Sequence, residues 1–333
     1  MEEIRVTERT DVLVVGAGVI GLTTAVYLAE QGLAVRIRAD EYPRETTSAV
    51  AAAVLGGPAL ADPAEAANWH PYETTKKWHQ IGLEEFATLA TRPGTGVRVT
   101  PGRWASRQDI ADTSWTHLLP GYRDCTAEER AGFPVAFWMS LPIIDMPVYF
   151  DHLMGRLTAA GGQIEIGHVA SLDEAAAEAP IVVNCTGAYA QRLTADPEIR
   201  PMRGQHVVVE NPGLESYFFE FSRGPKPTSF IAHGDRLICG GTADRDNWSR
   251  EPDPVQTEEI ISRCAAVEPR IADARILSVE VGLRAARPQI RLEEESLGGA
   301  RVIHNYGHSG VGVGMSWGCA REVEQIVQRT VHN

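Results

Sequence analysis

The sequence predicts an α/β protein in which a nucleotide-binding βαβ unit is joined to a second, mainly antiparallel sheet. Three observations carry that prediction. The run Gly16-Ala17-Gly18-Val19-Ile20-Gly21 follows a short apolar stretch and opens a helical one. Strand-like and helix-like segments alternate through most of the chain. Near the other end, residues 302–318 again read as strand, glycine-rich loop and helix start.

In the first unit, residues 12–15 form a buried strand, the helix runs to Gln31 and stops at Gly32, and the strand 34–40 ends on Asp40. Gly16 makes the tight turn, Gly18 lets backbone approach a pyrophosphate, and Gly21 lets helix and sheet pack closely. Ala17, Val19 and Ile20 complete that turn, and Asp40 is placed to accept ribose hydroxyls. The motif by itself does not separate NAD from FAD. Downstream, Thr46, Thr47 and Ser48 set three hydroxyls beside a small-residue run that reaches Ala53. Such a segment suits a second length of diphosphate and ribityl chain, although Ser and Thr are equally at home capping a helix.

Further along, the patterns predict helices over 72–90, 146–160 and 257–267, with an Ala-rich one over 173–179. Strands are expected at 97–99, 163–166, 181–184, 206–210, 236–239 and 276–281. From about Met202 to Cys239 the strands are joined by short polar links, which is the signature of an antiparallel sheet. The last strand enters a loop carrying Gly307, Gly310, Gly312 and Gly314, and a helix is expected from Met315 to about Arg329. Free N–H groups and the positive dipole end at that helix start can hold an anion or an electron-rich ring edge.

The chain has 333 residues, long enough for two lobes around a full core. A net charge of -13 argues against nucleic acid or an anionic membrane as partner. The five cysteines are scattered without metal-ligand spacing, so no metal is expected. Reduced thiols, the absence of a basic-then-apolar leader and the absence of a peroxisomal tripeptide make a cytoplasmic location the expectation.

Together these segments resemble the D-amino acid oxidase family of flavoproteins over nearly the whole chain. The landmarks appear in order: Gly16 to Gly21, Thr46-Thr47-Ser48-Ala49-Val50-Ala51-Ala52, Val183-Asn184-Cys185-Thr186-Gly187-Ala188, Met202-Arg203-Gly204-Gln205, Gly282-Leu283-Arg284 through Arg287-Pro288-Gln289-Ile290-Arg291, and His304-Asn305-Tyr306-Gly307-His308. The last two strings are far more specific than the nucleotide fingerprint.

The resemblance implies non-covalent FAD, held by residues 16–21, Asp40, Thr46, Thr47, Ser48, Ala53, Val169, Thr186, Gly187 and Ser309, Gly310, Val311, Gly312 and Val313. It implies a discontinuous FAD-binding domain of residues 1–75, 145–200 and 285–333, and a substrate domain of 76–144 and 201–284. The implied activity is hydride transfer from the α-carbon of a D-amino acid to flavin N5, giving an imino acid that hydrolyses to an oxo acid and ammonia, with oxygen reduced to hydrogen peroxide. Such a reaction needs a positioned substrate more than acid–base groups. Arg284 occupies the family's carboxylate-binding position, and a bidentate guanidinium suits a planar carboxylate. Gly310 takes the position whose carbonyl accepts from the substrate amine. Arg287 and Arg291 are expected to serve structure, bonding neighbouring loops or the cofactor, and His304 and His308 to serve structure or flavin packing.

Two departures concern the substrate pocket. Where the family carries Tyr-x-Ile-Pro-Arg, this chain has Ser229-Phe230-Ile231-Ala232-His233, and a bulky segment is replaced by Val54-Leu55-Gly56-Gly57-Pro58. Ser229 thus stands where a second carboxylate donor is usual, and a roomier pocket is expected. Two alternatives accompany the oxidase reading: a flavin-dependent oxidase or dehydrogenase of another amine or biosynthetic intermediate, and a flavin-binding protein without turnover. The implied partners are a small amine substrate and oxygen, with a homodimer left open.

Overall fold

The computed structural model describes residues 10–55, 72–108, 120–220 and 226–329. The first unit is β1 (Val12–Val15), α1 (Val19–Glu30) and β2 (Val35–Ala39), followed by α2 (Tyr72–Leu89). Strands β3 (Val97–Ser106), β4 (Arg123–Asp124) and β5 (Val135–Ile144) lead to α3 (Met146–Ala159) and β6 (Gln163–Ile166). Next come α4 (Leu172–Ala176), β7 (Ile181–Asn184), α5 (Ala190–Leu193) and β8 (Arg200–Glu210). The antiparallel strands are β9 (Tyr217–Glu220), β10 (Ser229–His233), β11 (Arg236–Gly240) and the short β12 (Asp244–Arg245). The chain then forms α6 (Pro254–Val267), β13 (Ile276–Leu297), β14 (Ala300–Ser309) and α7 (Gly312–Gln328).

All these strands belong to one hydrogen-bonded sheet, ordered β4-β5-β3-β9-β10-β11-β8-β13-β14-β7-β1-β2-β6, with β12 paired to β8. Strands β14, β7, β1, β2 and β6 are parallel, whereas β9, β10, β11, β8 and β13 pair antiparallel. In the parallel part every side chain of β1 is buried, as expected for a strand covered on both faces. Helices α1 and α3 close one side of it, with Leu22, Val26, Tyr149, Phe150 and Trp317 in the core. A separate core lies under α6, where Ile260 and Cys264 meet Val207, Phe230 and Cys239. All five cysteines are free and buried.

Several expectations change in extent, among them the strand expected at 206–210, which starts at Arg200, and the helix expected at 173–179, which spans Leu172–Ala176. The strand expected at 97–99 runs to Ser106, because β5 pairs with it from Val97 to Ser106 without interruption. The helix expected from 257 starts at Pro254: the Asp253 carboxylate accepts from the N–H groups of Val255 and Gln256, and proline fits the first helical position. The strand expected at 276–281 is 22 residues long. It pairs with β8 through Ala286 and with β14 from Ala285 to Leu297, so one strand carries the sheet from its antiparallel to its parallel part.

The glycine-rich loop is also corrected. Gly307 lies inside β14 at φ +89, and Gly312 and Gly314 already belong to α7. Only Gly310 and Val311 separate strand from helix. The helix glycines answer to packing: a Cβ on Gly82 of α2 would sit 1.8 Å from the Gly314 carbonyl oxygen, and one on Gly318 would sit 2.3 Å from the Trp78 Cα. Helices α2 and α7 therefore touch backbone to backbone. Among the described residues no helix is long and apolar enough to cross a membrane.

Candidate active site

At the carboxyl edge of the parallel strands the register aligns Val15 with Arg38 and with Asn184, and Asn184 with His304. The segments that follow these strands hence collect at one edge: Gly16 to Gly18 after β1, Asp40 after β2, Thr186 and Gly187 after β7. Open α/β sheets bind ligands at such edges. The three fingerprint glycines differ in what they permit. A Cβ on Gly16, at φ +105, would lie 2.6 Å from the Cys185 carbonyl oxygen, and one on Gly21 would lie 2.0 Å from that of Gly16. By contrast, a Cβ on Gly18 would meet only the Ser48 hydroxyl, at 3.3 Å. The fold itself demands the first and third glycines, whereas at the second a Cβ would press only on one side-chain hydroxyl.

The hydroxyl segment ties the site together. Ser48 Oγ accepts from the Val19 N–H at the start of α1 (3.1 Å), and Thr47 Oγ1 accepts from the Leu283 N–H beside Arg284 (3.0 Å). Thr46 turns back and donates to the Pro43 carbonyl. Asp40 is exposed, with His168 Nδ1 at 2.9 Å. Thr186 Oγ1 donates to Asn184 Oδ1 (2.7 Å), while Val169 is buried in the hydrophobic cluster around Leu13 and Val182.

A cavity of about 750 Å³ runs from the start of α1 to the antiparallel strands. It brings together Val19, Ile20, Thr47, Ser48, Ala53, Gly187, Ser229, Arg284 and the whole of 309–313. Gly16, Ala17, Gly18, Gly21, Asp40, Thr46, Val169 and Thr186 do not line it. The starts of α1 and α7, neither of them capped by its N-cap side chain, both border this space. Two of its residues, Ala53 (φ 46) and Ser309 (φ 49), hold left-handed backbone without being glycine. Strain of this kind collects at ligand sites.

Arg284 reaches the cavity wall from β13. Its Nη1 donates to the Thr242 carbonyl at 3.0 Å, and its Nε and Nη2 make no hydrogen bond among the described residues. Burial lowers its pKa and the Asp244 charge partly restores it, but an arginine remains charged. The guanidinium lies close against the Gly204 backbone: a Cβ there would come within 2.3 Å of Nη1 and 2.6 Å of Cζ. Neighbouring arginines are spoken for. Arg203 bonds Gln205, Gln256 and the Glu251 carbonyl, Arg287 bonds Asp196 and Glu198, and Arg291 bonds Glu293 and Tyr306.

Ser229 is buried and faces the cavity, whereas Phe230 alternates to the other face and stacks on Phe218 at 5.2 Å. His304 does not line the cavity; it lies with Nδ1 3.2 Å from Asn184 Nδ2 and Nε2 3.1 Å from Glu295, and burial lowers its pKa. His308 does line it, with Nε2 3.4 Å from Cys319 Sγ. Gly56 to Pro58 lie outside the described residues.

Sequence reading missed Trp104, Phe219, His79 and His206 as lining residues. The first two alternate along strands β3 and β9, so only the register could reveal that they share a face. Gly204 stood within a recognised string, but its function as a seat for Arg284 is set by the pairing of β8 with β13.

The match to a family model, FAD dependent oxidoreductase, covers residues 11–326. The chain belongs to this family of FAD-dependent oxidoreductases. It is 45% identical over 325 residues to a D-amino-acid oxidase of Streptomyces coelicolor, covering 95% of this chain and 96% of that one. Identity to a D-amino-acid oxidase of Rubrobacter xylanophilus is 42% over 322 residues, covering 94% of each. Among solved structures, a glycine oxidase from Geobacillus kaustophilus has the same fold, with a TM-score of 0.80, 21% identity and coverage of 96% and 95%.

Proposed function

We propose that this protein is an FAD-dependent oxidase of D-amino acids, with the residue roles and the two-domain division set out from the sequence. The observation that carries this is Arg284, a guanidinium with free donors on the wall of a cavity that reaches two helix N-termini. The residues present suit FAD. Gly18 leaves room for backbone to approach a diphosphate, Ser48 and Thr47 brace the start of α1 against β13, and the small residues 51–53 line the wall without filling it. Gly16 to Gly21, Asp40, Thr46 to Ser48, Ala53, Val169, Thr186, Gly187 and residues 309–313 would hold the cofactor non-covalently. Bound FAD supplies a ring that accepts a hydride.

The protein's part is then to hold and exclude. Arg284 binds the substrate α-carboxylate and fixes the α-carbon, with Ser229 the nearest replacement for the absent tyrosine. The Gly310 carbonyl accepts from the substrate amine. Trp104, Phe219 and Ile231 exclude water from the side-chain end. Peroxide release against paired D- and L-amino acids, with flavin bleaching under anaerobic conditions as the second reading, tests the proposal. Release with D- but not L-enantiomers is expected. Bleaching by an unrelated amine without D-amino acid turnover would replace it.

A further inference from the structure

His206 belongs to no family string, yet it lines the cavity at an informative point. The register sets Ser229 beside Gly240, Gly240 beside His206, and His206 beside Glu280 across four adjacent strands. Gly240 lets Ser229 close in on the strand between them, since a Cβ there would lie 2.9 Å from Ser229 Oγ and 3.9 Å from His206 Cβ.

We propose that His206, oriented by Glu280, is a specificity-determining residue that accepts a hydrogen bond from an amide or hydroxyl group at the far end of the substrate side chain. This deepens the D-amino acid oxidase reading and rests on it. His206 Nε2 lies 2.9 Å from Glu280 Oε2. Glu280 as acceptor takes the Nε2 N–H, and in that tautomer Nδ1 is left as the acceptor. Nδ1 has no partner among the described residues.

Position sets which part of the substrate meets it. Gly204, on which the Arg284 guanidinium rests, is two residues from His206 on the same face of β8. Two strand residues span about 7 Å. A substrate whose α-carboxylate sits on Arg284 therefore brings a side chain of intermediate length to His206. Trp104, Phe219 and Ile231 border its apolar stem. No Asp or Glu is among the described lining residues, so a donor group finds its acceptor in the imidazole rather than in a bare carboxylate.

The test uses the flavin-loaded enzyme and two pairs of near-isosteric compounds. Binding of glutaramate and hexanoate is followed by perturbation of the flavin absorption, and turnover of D-glutamine and D-methionine by peroxide release. Wild type is expected to favour the amide member of each pair about tenfold, the worth of one buried hydrogen bond. In His206→Leu that preference falls to parity or reverses. Glu280→Gln keeps the volume but replaces a group that only accepts with one that both accepts and donates, so the ring is no longer held in one tautomer and the preference weakens. Flavin content and melting temperature of both variants show whether they fold. A wild type that favours hexanoate and D-methionine, or an amide preference that survives in both variants, overturns the proposal. Failure of the oxidase reading looks different: neither D-amino acid is turned over, while the carboxylate pair still reports on His206.

Discussion

Substituting Gly204 with alanine displaces the carboxylate clamp without removing its charge. The added Cβ would lie 2.3 Å from Arg284 Nη1 and 2.6 Å from Cζ and Nη2. Ordinary contact is about 3.5 Å, so the guanidinium must move by roughly 1.2 Å. It is the far end of a flexible side chain, and Gly204 sits in a regular strand, so the fold and the flavin site survive. A displacement of about 1 Å in a positioning group costs on the order of 100-fold, or about 2.7 kcal/mol, in the reaction it serves. Gly204→Ala should therefore keep its flavin spectrum and melting temperature while kcat/KM for its best D-amino acid falls about 100-fold. Arg284→Ala sets the limit, with a loss of about 3–5 kcal/mol. In the Gly204→Ala, Arg284→Ala double variant the losses should not add, because both act on one group. Activity of Gly204→Ala within about threefold of wild type would refute the seating of Arg284 on this strand.

Three further predictions follow from the same contacts. Gly18→Leu should fold but purify colourless, its side chain entering the space left for the diphosphate, whereas Gly21→Ala should fold poorly because its Cβ meets backbone at 2.0 Å; flavin content and thermal melts separate the two, and a fully yellow Gly18→Leu would break the loop assignment. Ser229→Tyr should improve kcat/KM for D-alanine by roughly 1 kcal/mol, since this position and not Phe230 faces the cavity; no gain would mean that another group already supplies the second donor. Burial of His233 pushes its pKa down to about 4, with Nε2 unpartnered. The unfolded chain then binds the proton more tightly, so stability is full above about pH 6.5 and falls towards pH 4, by up to about 3 kcal/mol. Melting temperatures of His233→Leu should fall less steeply over that window than those of wild type, and equal slopes would sink the attribution.

What the sequence determined by itself was local and chemical. The βαβ unit was legible to within a residue because its signals are short-range: four apolar residues for a doubly covered strand, glycine at a forced turn, an acid at the strand end. Arg284 was legible only through the Gly-Leu-Arg and Arg-Pro-Gln-Ile-Arg strings, since nothing in the spacing of a lone arginine tells a clamp from a surface charge. Strand lengths were not legible. Residues 282–297 lack a simple alternation, and they remain a strand because β8 partners them through Ala286 and β14 takes over from Ala285 to Leu297. The glycines near the end of the chain were visible, but their division of labour was not. Only the approach of α2 to α7 shows that Gly318 permits helix packing. The same holds for Gly204, Gly240 and His206. Their neighbours across the sheet are remote in sequence, and the register that brings Ser229, His206 and Arg284 to one cavity is a property of paired strands, which no single segment contains.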